Sequence, residues 1–134
     1  MEAMTDGVIL LDVTAGEGEF DRSILERLGH PVLVCHGPEA KLCPLLGGTG
    51  CPKFEQAHGI VFELDLDRSQ HRDVVRRYRE LARPDLPIRV VVRPGQAERY
   101  ADLLRQVETW NHKPNVAELD GFAAEVEAAD RFTG

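Results

Sequence analysis

Five residues in one stretch of the chain have side chains that could bind a metal ion or undergo redox chemistry. They are three cysteines separated by two seven-residue gaps and two histidines: Cys35, His36, Cys43, Cys51 and His58. Thiolates and imidazoles are common zinc ligands, and thiolates also hold iron–sulfur clusters. One hypothesis is therefore a zinc or iron–sulfur site with three thiolate ligands, in which a histidine or an exogenous group is the fourth ligand.

Two other interpretations of the same cysteines stay open. Cys51 directly precedes a proline that is well placed to begin a short helix, whose dipole would stabilise a thiolate and make it reactive. Cys43 lies across the glycine-rich tract 47–50 and could form a disulfide with an oxidised Cys51, which would lock that loop as a two-state element. Alternatively, Cys35 is a small apolar residue at the end of a buried strand, and the other two are loop thiols without a role.

A second group consists of acidic residues at predicted strand ends: Asp12, Glu63, Asp65 and Asp67. Glu63 and Asp65 share one strand face because side chains alternate with a period of two, and Asp12 belongs to a neighbouring strand. Clustered carboxylates can bind magnesium or act as general acids and bases. The structural alternative is that Asp67 caps the following helix and Glu63 pairs with an arginine. The tract 47–50 lacks the Lys-Ser/Thr pair of a phosphate-binding P-loop.

Composition limits the classes of function. The chain has 134 residues, which suits a single domain spanning 1–134, and a net charge of −7 that argues against nonspecific nucleic-acid or anionic-membrane binding. No apolar segment approaches the roughly 20 residues that a membrane span needs. The acidic start of the chain lacks the features of a secretory signal, so we expect a cytoplasmic location. Four arginines are expected to form a solvated helix face: Arg72, Arg76, Arg77 and Arg79.

Strands and helices alternate along the chain. Apolar runs predict strands at 7–13, 31–35, 59–67 and 88–92, and helical spacing predicts helices at 20–28, 52–57, 67–82, 97–110 and 115–132. Asp21 and Cys51 are the expected N-caps of the first two helices. Capping boxes starting at Asp67 and Asn115 are expected to open the third and the last.

This alternation predicts an α/β fold with a three-layer, doubly wound parallel sheet of four or five strands. The core occupies 7–110, and the helix at 115–132 is an addition. Ligands of such sheets lie outside the carboxyl ends of the strands, near the point where strand order reverses. The cysteines and the acids are both expected near that edge.

The segment IVFELDLDRSQHRDVVRRYRELARPDLPIRVVV, residues 60–92, resembles a response-regulator receiver domain of the flavodoxin-like type. It follows that family's succession of third strand, phosphoacceptor aspartate, helix, proline-containing turn and fourth strand. The resemblance implies a receiver-like fold over about 7–110, with Asp65 at the phosphoacceptor position. It also implies that Asp12 stands where the family has its metal-binding acids.

The chain departs from the receiver pattern at several functional positions. Asp12 is followed by Val13 rather than by a second acid, and Arg93 follows the fourth strand in place of Thr or Ser. The family has a lysine after a fifth strand; no clear fifth strand is predicted here, and Lys113 lies in a segment that does not fit that role. Because phosphoryl transfer to a carboxylate needs a cation held by clustered acids, we expect no ordinary aspartyl phosphorylation.

Three functions are compatible with these features. The first is a small regulatory or signalling module that binds another protein, with a cysteine-containing switch at the carboxyl edge of the sheet. The second is a zinc or iron–sulfur protein, and the third is a magnesium-dependent hydrolase or transferase. No convincing nucleophile–base pair supports an enzyme. The last helix carries an acidic face that could dock a basic partner or a second copy in a homodimer: Glu118, Glu125, Glu127 and Asp130.

Overall fold

A computed structural model describes residues 7–38 and 42–133. The strands are β1 (Ile9–Asp12), β2 (Val32–Cys35), β3 (Gly59–Phe62), β4 (Ile88–Val91) and β5 (Glu108–Trp110). The helices are α1 (Glu19–Arg27), α2 (Pro52–Gln56), α3 (Ser69–Leu81), α4 (Gln96–Arg99) and α5 (Val116–Thr133). All strand pairs are parallel, in the order β2-β1-β3-β4-β5. The predicted doubly wound α/β fold is confirmed, with five strands and a C-terminal helix.

The sheet separates two hydrophobic clusters because alternate side chains of each strand point to opposite faces. On one face, Leu10, Ile60 and Phe62 pack with residues of α3 such as Val74. On the other face, Leu11 and Val61 pack with apolar side chains of α1 and α5. Both central strands are therefore buried on both sides, as their continuous apolar sequences predict.

The predicted helix at 97–110 is wrong. Helix α4 spans only Gln96–Arg99, a series of turns follows, and the chain enters strand β5 after Gln106, whose φ of 65° is left-handed. The turns carry helix-like hydrogen bonds, such as Leu104 N–H to the Tyr100 carbonyl at 3.0 Å. Apolar side chains therefore recur at helical spacing although no continuous helix forms. The β5 edge then completes the sheet through Val92 N–H, which donates to the Trp110 carbonyl at 2.8 Å.

Helix capping follows the sequence only in part. The reciprocal capping box is confirmed at α5, where Glu118 N–H donates to Asn115 Oδ1 and Asn115 N–H donates to Glu118 Oε1, both at 2.9 Å. Asp21 does not cap α1, since Gly18 occupies the N-cap with φ of 93°. Asp67 does not cap α3 either, because the N-cap is Arg68. The side chains of Asp21 and Asp67 instead make the contacts described below.

Within the described ranges, no helix combines the length and the apolar character needed to cross a membrane.

Candidate functional site

The candidate site lies where β1, β2 and β3 end, at the carboxyl edge of the sheet. Asp12 is the last residue of β1 and pairs in register with Cys35 of β2 and Phe62 of β3. Glu63 follows immediately, and its N–H donates to the Asp12 carbonyl at 2.7 Å. Because Asp12 shares its face with Leu10, and Glu63 shares the opposite face with Val61, the two carboxyl groups point into different layers. The predicted cluster of four acids is therefore split.

Glu63 faces α1 and the segment that follows β5. Its side chain is 4% exposed, and Lys113 Nζ lies 3.8 Å from Glu63 Oε1 and 3.4 Å from Glu17 Oε1. The buried carboxyl group of Asp21, from the first turn of α1, adjoins Glu63, and the two can hydrogen-bond when Glu63 carries a proton. Lys113 follows β5, and the expectation that it does not fit the role of the receiver lysine stays a prediction. The arginine partner expected for Glu63 is replaced by Lys113 and Asp21.

Burial and the neighbouring Asp21 raise the pKa of Glu63 from 4.5 to about 8, although Lys113 opposes the shift. Among the described residues, both Glu63 oxygens and Asp21 Oδ2 lack an ordinary hydrogen-bond donor. A proton on Glu63 would donate to the neighbouring carboxyl group and satisfy this contact. At neutral pH, Glu63 is therefore mainly a protonated acid and a poor nucleophile.

Asp12 occupies a different site in the layer beneath α3. Tyr78 Oη donates to Asp12 Oδ2 at 2.6 Å, and the Cys35 side chain also hydrogen-bonds to this carboxyl group. Burial raises the pKa of Asp12 from 3.8 to about 6, while these hydrogen bonds limit the rise. Burial and the Asp12 charge raise the pKa of the Cys35 thiol. Phe54 of α2 stacks on Tyr78 with ring centroids 5.2 Å apart, which shields the group from solvent.

Asp65 belongs to a third set of contacts, beyond the end of β3. Asp65 Oδ1 accepts from Asp67 N–H at 3.0 Å and from Gln96 Nε2 at 2.9 Å, and Arg93 Nη1 lies 3.2 Å from Oδ2. The assignment of the phosphoacceptor position to Asp65 stays a prediction. The carboxyl group that faces Lys113, however, is that of Glu63.

The cysteines and histidines do not gather at one centre. Within residues 7–38 and 42–133, no three His, Cys, Asp or Glu side chains form a group that could hold a metal ion. His58 precedes β3 at the amino edge of the sheet, where Nδ1 lies 2.9 Å from Asp130. His36 Nδ1 lies 3.0 Å from the Val13 carbonyl. The described residues therefore provide no group of ligands that matches the predicted zinc or iron–sulfur site. The binding of such a cofactor stays a prediction.

The three thiols nevertheless pack against one hydrophobic cluster, that of Phe62 and Tyr78. Cys35, Cys43 and Cys51 are all partly buried, and none forms a disulfide. Cys51 occupies the predicted N-cap position of α2, without a side-chain capping bond.

The acidic face of α5 is largely paired within the chain. Glu125 forms a bidentate contact with Arg89 at 2.7 and 3.1 Å, and Glu127 Oε2 lies 2.9 Å from His30 Nε2. Asp130 contacts His58, and Glu118 contacts His112 at 2.7 Å. This face offers less free negative charge to a partner or a second copy than the sequence suggests.

Sequence reasoning missed four residues that build these sites: Asp21, Tyr78, Gln96 and Lys113. If the short fifth strand had been predicted, the position of Lys113 soon after it would have identified this lysine as a candidate site residue. No local pattern distinguishes Tyr78 from the other apolar positions of α3, because its role depends on Asp12, which is 66 residues away in the chain.

Comparison with known proteins supports the fold alone. No protein-family model matches the chain, and no curated protein sequence does so. Solved structures do match. A response regulator protein from Burkholderia multivorans has a TM-score of 0.63 at 19% identity, covering 92% of this chain and 96% of that one. The receiver domain of Francisella response regulator 1452 has a TM-score of 0.57 at 14% identity, covering 95% and 98%.

A third match is a structure described as adenylate cyclase from Rhodopirellula baltica, with a TM-score of 0.57, 17% identity and coverage of 94% and 90%. Since receiver domains recur among these structures, the chain has a receiver-like fold. The low identities carry no activity over to it.

Proposed function

We propose that this chain is a regulatory module that acts by binding another protein, and that aspartyl phosphorylation does not set its state. The observation that supports this proposal is the identity and burial of the carboxyl group facing Lys113. In the receiver pattern, a lysine after the fifth strand accompanies an aspartate after the third. Here Lys113 accompanies Glu63, which is buried and adjoins Asp21.

The chemistry of phosphoryl transfer argues in the same direction. A carboxyl group must be ionised to attack a phosphoryl donor, and the raised pKa of Glu63 keeps it mainly protonated at neutral pH. A divalent cation held by clustered acids must also offset the phosphoryl charge. Asp12 points into the opposite layer, bonded to Tyr78, and is followed by Val13.

The test is incubation of the protein with acetyl phosphate and magnesium, followed by intact-mass spectrometry. We expect no phosphoryl adduct on the parent protein or on the Asp65→Asn variant, whereas a reactive receiver domain treated in parallel is modified. An adduct on the parent protein would contradict the proposal, and its loss in Asp65→Asn would assign it to the phosphoacceptor position of the receiver pattern.

We further propose that thiol oxidation supplies the input, through a disulfide between Cys43 and Cys51. The segment between them turns back on itself, since Thr49 N–H donates to the Pro44 carbonyl at 2.9 Å. Both thiols therefore flank one closed turn and pack against the same cluster as Tyr78. A hydroperoxide would oxidise one thiolate to a sulfenic acid and be reduced to water or an alcohol. The second thiol would then displace water to form the disulfide.

After treatment with mild peroxide, a thiol titration of the unfolded protein is expected to detect one free thiol instead of three. That thiol should be Cys35, which alkylation would label. Cys35 is the unreactive thiol because burial and Asp12 raise its pKa and disfavour the thiolate. Peptide mapping should locate the bond, Cys51→Ser should abolish it, and Cys35→Ser should leave it intact. A bond that includes Cys35, or no disulfide at all, would contradict this input.

A further inference from the structure

Positive charge is concentrated in one part of this acidic chain. Residues 68–105 contain ten arginines and five acids, a net charge of +5, so the rest of the chain carries −12. This basic segment includes α3 and the turns after α4, which pack on the Tyr78 side of the sheet. Helices α1 and α5 pack on the opposite side. Not all of this charge lies on the Tyr78 side, since Arg89 of β4 pairs with Glu125 of α5.

A cleft between α3 and α4 collects part of this charge. Its volume is about 250 Å³, and its lining residues are Arg72, Arg76, Glu98, Arg99, Tyr100, Ala101, Asp102 and Leu103. Arg72 and Arg76 lie one helical turn apart on the same face of α3. Arg99, at the end of α4, contacts the Tyr100 ring, as Arg72 does. We call these eight residues the arginine cleft.

Two of the arginines are held in place before any ligand binds. The Arg72 and Arg99 guanidinium groups lie 5.0 and 5.6 Å from the centroid of the Tyr100 ring. Arg72 Nη1 donates to the Leu66 carbonyl at 2.8 Å, and Arg99 Nη2 donates to Asp67 at 2.9 Å. These contacts fix the side chains and so reduce the entropy lost on binding.

The fixed arginines retain binding capacity. Each guanidinium group has five N–H donors, and the described contacts of Arg72 and Arg99 use only part of them. Arg76 is half exposed and pairs with Asp73 at 2.7 Å on the helix surface. Carboxylates match the remaining donors because they accept two parallel hydrogen bonds from one guanidinium group.

We propose that the arginine cleft docks an acidic segment of a protein partner. This inference rests on the proposed function, since it names the surface and the chemistry through which the regulatory module meets its partner. An acidic segment a few residues long would contact only the cleft. A nucleic acid would extend beyond it and be repelled by the rest of the chain, whose net charge is −12. Glu98 and Asp102 also line the cleft, so its positive charge comes from Arg72, Arg76 and Arg99 alone.

The test measures binding of a short fluorescein-labelled peptide of Asp, Glu and Ser by fluorescence polarisation at low salt. We expect Arg76→Gln/Arg99→Gln to weaken binding by about tenfold or more, because both changes remove charged donors. The control is Arg22→Gln/Arg27→Gln on α1, which removes the same charge from the opposite side and should leave the affinity within about twofold. Urea unfolding of both variants verifies that they are folded.

Each outcome has a defined meaning. Equal weakening in the two variants would show attraction to net charge alone and overturn the cleft as the site. Absence of peptide binding would also overturn the cleft as the site. If an unlabelled oligonucleotide displaced the labelled peptide at a lower concentration than unlabelled peptide does, the choice of a protein segment as the ligand would be overturned. A phosphoryl adduct in the acetyl phosphate experiment, with peptide binding intact, would instead count against the proposed function and leave the docking surface standing.

Discussion

At pH 8, the Glu63→Gln variant is expected to be more stable to urea than the parent protein by about 2 kcal/mol. In the parent protein, the pKa of Glu63 is about 8 when folded and 4.5 in the reference state. Below pH 4.5 the carboxyl group is protonated in both states, so its contribution to stability is fully present. As pH rises, the unfolded chain ionises first, and the contribution is lost by the time pH passes 8. Lys113 beside the pair is largely exposed, and solvent around it lets the site relax when Glu63 ionises, which keeps the expected magnitude below the full linkage value.

The Glu63→Gln substitution should remove this pH dependence, since an amide is neutral throughout and can donate to Asp21 as the protonated acid does. The measurement is the free energy of unfolding from urea titrations between pH 5 and 8.5. Glu17→Gln serves as the control, because Glu17 is exposed and contacts the same Lys113. Its pH profile should stay parallel to that of the parent protein. If the free energy of unfolding of Glu63→Gln also varied with pH in parallel with that of the parent protein, Glu63 would be ionised in the folded protein at neutral pH.

The Tyr78→Phe variant is expected to lose about 2–3 kcal/mol of stability at pH 7, because the hydroxyl group donates to a buried carboxyl group. The 2.6 Å hydrogen bond from Tyr78 Oη to Asp12 links α3 to the end of β1. Phenylalanine preserves the ring packing on Phe54 and removes only this donor. The loss should also raise the pKa of Asp12 further, since the hydrogen bond lowers it.

Tyr100→Phe is the matched control for this substitution. Tyr100 Oη donates to Asp67 Oδ1 at 2.7 Å, in an exposed position. A hydrogen bond of similar length in contact with water should contribute much less than the buried one. Urea titration of both variants measures the difference. Equal losses would mean that burial of Asp12 does not govern the strength of its hydrogen bond.

The apolar runs of the central strands and the stripes of α3 and α5 determine most of the fold, and those elements were predictable. Strand β5 was not, because Glu108 and Thr109 are exposed and the strand lacks an apolar run. Its pairing with β4 depends on tertiary context that local spacing does not contain. The mistaken helix at 97–110 follows from the same limitation.

The candidate site was predicted at the right edge of the sheet but with the wrong neighbours. Which layer a side chain enters depends on the alternation of side chains along its strand. Glu63 shares the face of Val61 and enters the α1 layer, whereas Asp65 lies beyond the end of β3. Asp21 and Lys113 come from distant segments, so only the folded chain shows that they meet Glu63.

The two outer strands of the sheet bear on the behaviour of concentrated samples. Unpaired strand edges promote aggregation by pairing with other molecules. Strand β5 is only three residues long and begins with the exposed Glu108. On the opposite side, Lys53 Nζ donates to the Val34 carbonyl of β2 at 2.6 Å, which places a charged group on that edge. The fold thus protects both of its open flanks against the edge-to-edge association that leads to fibres.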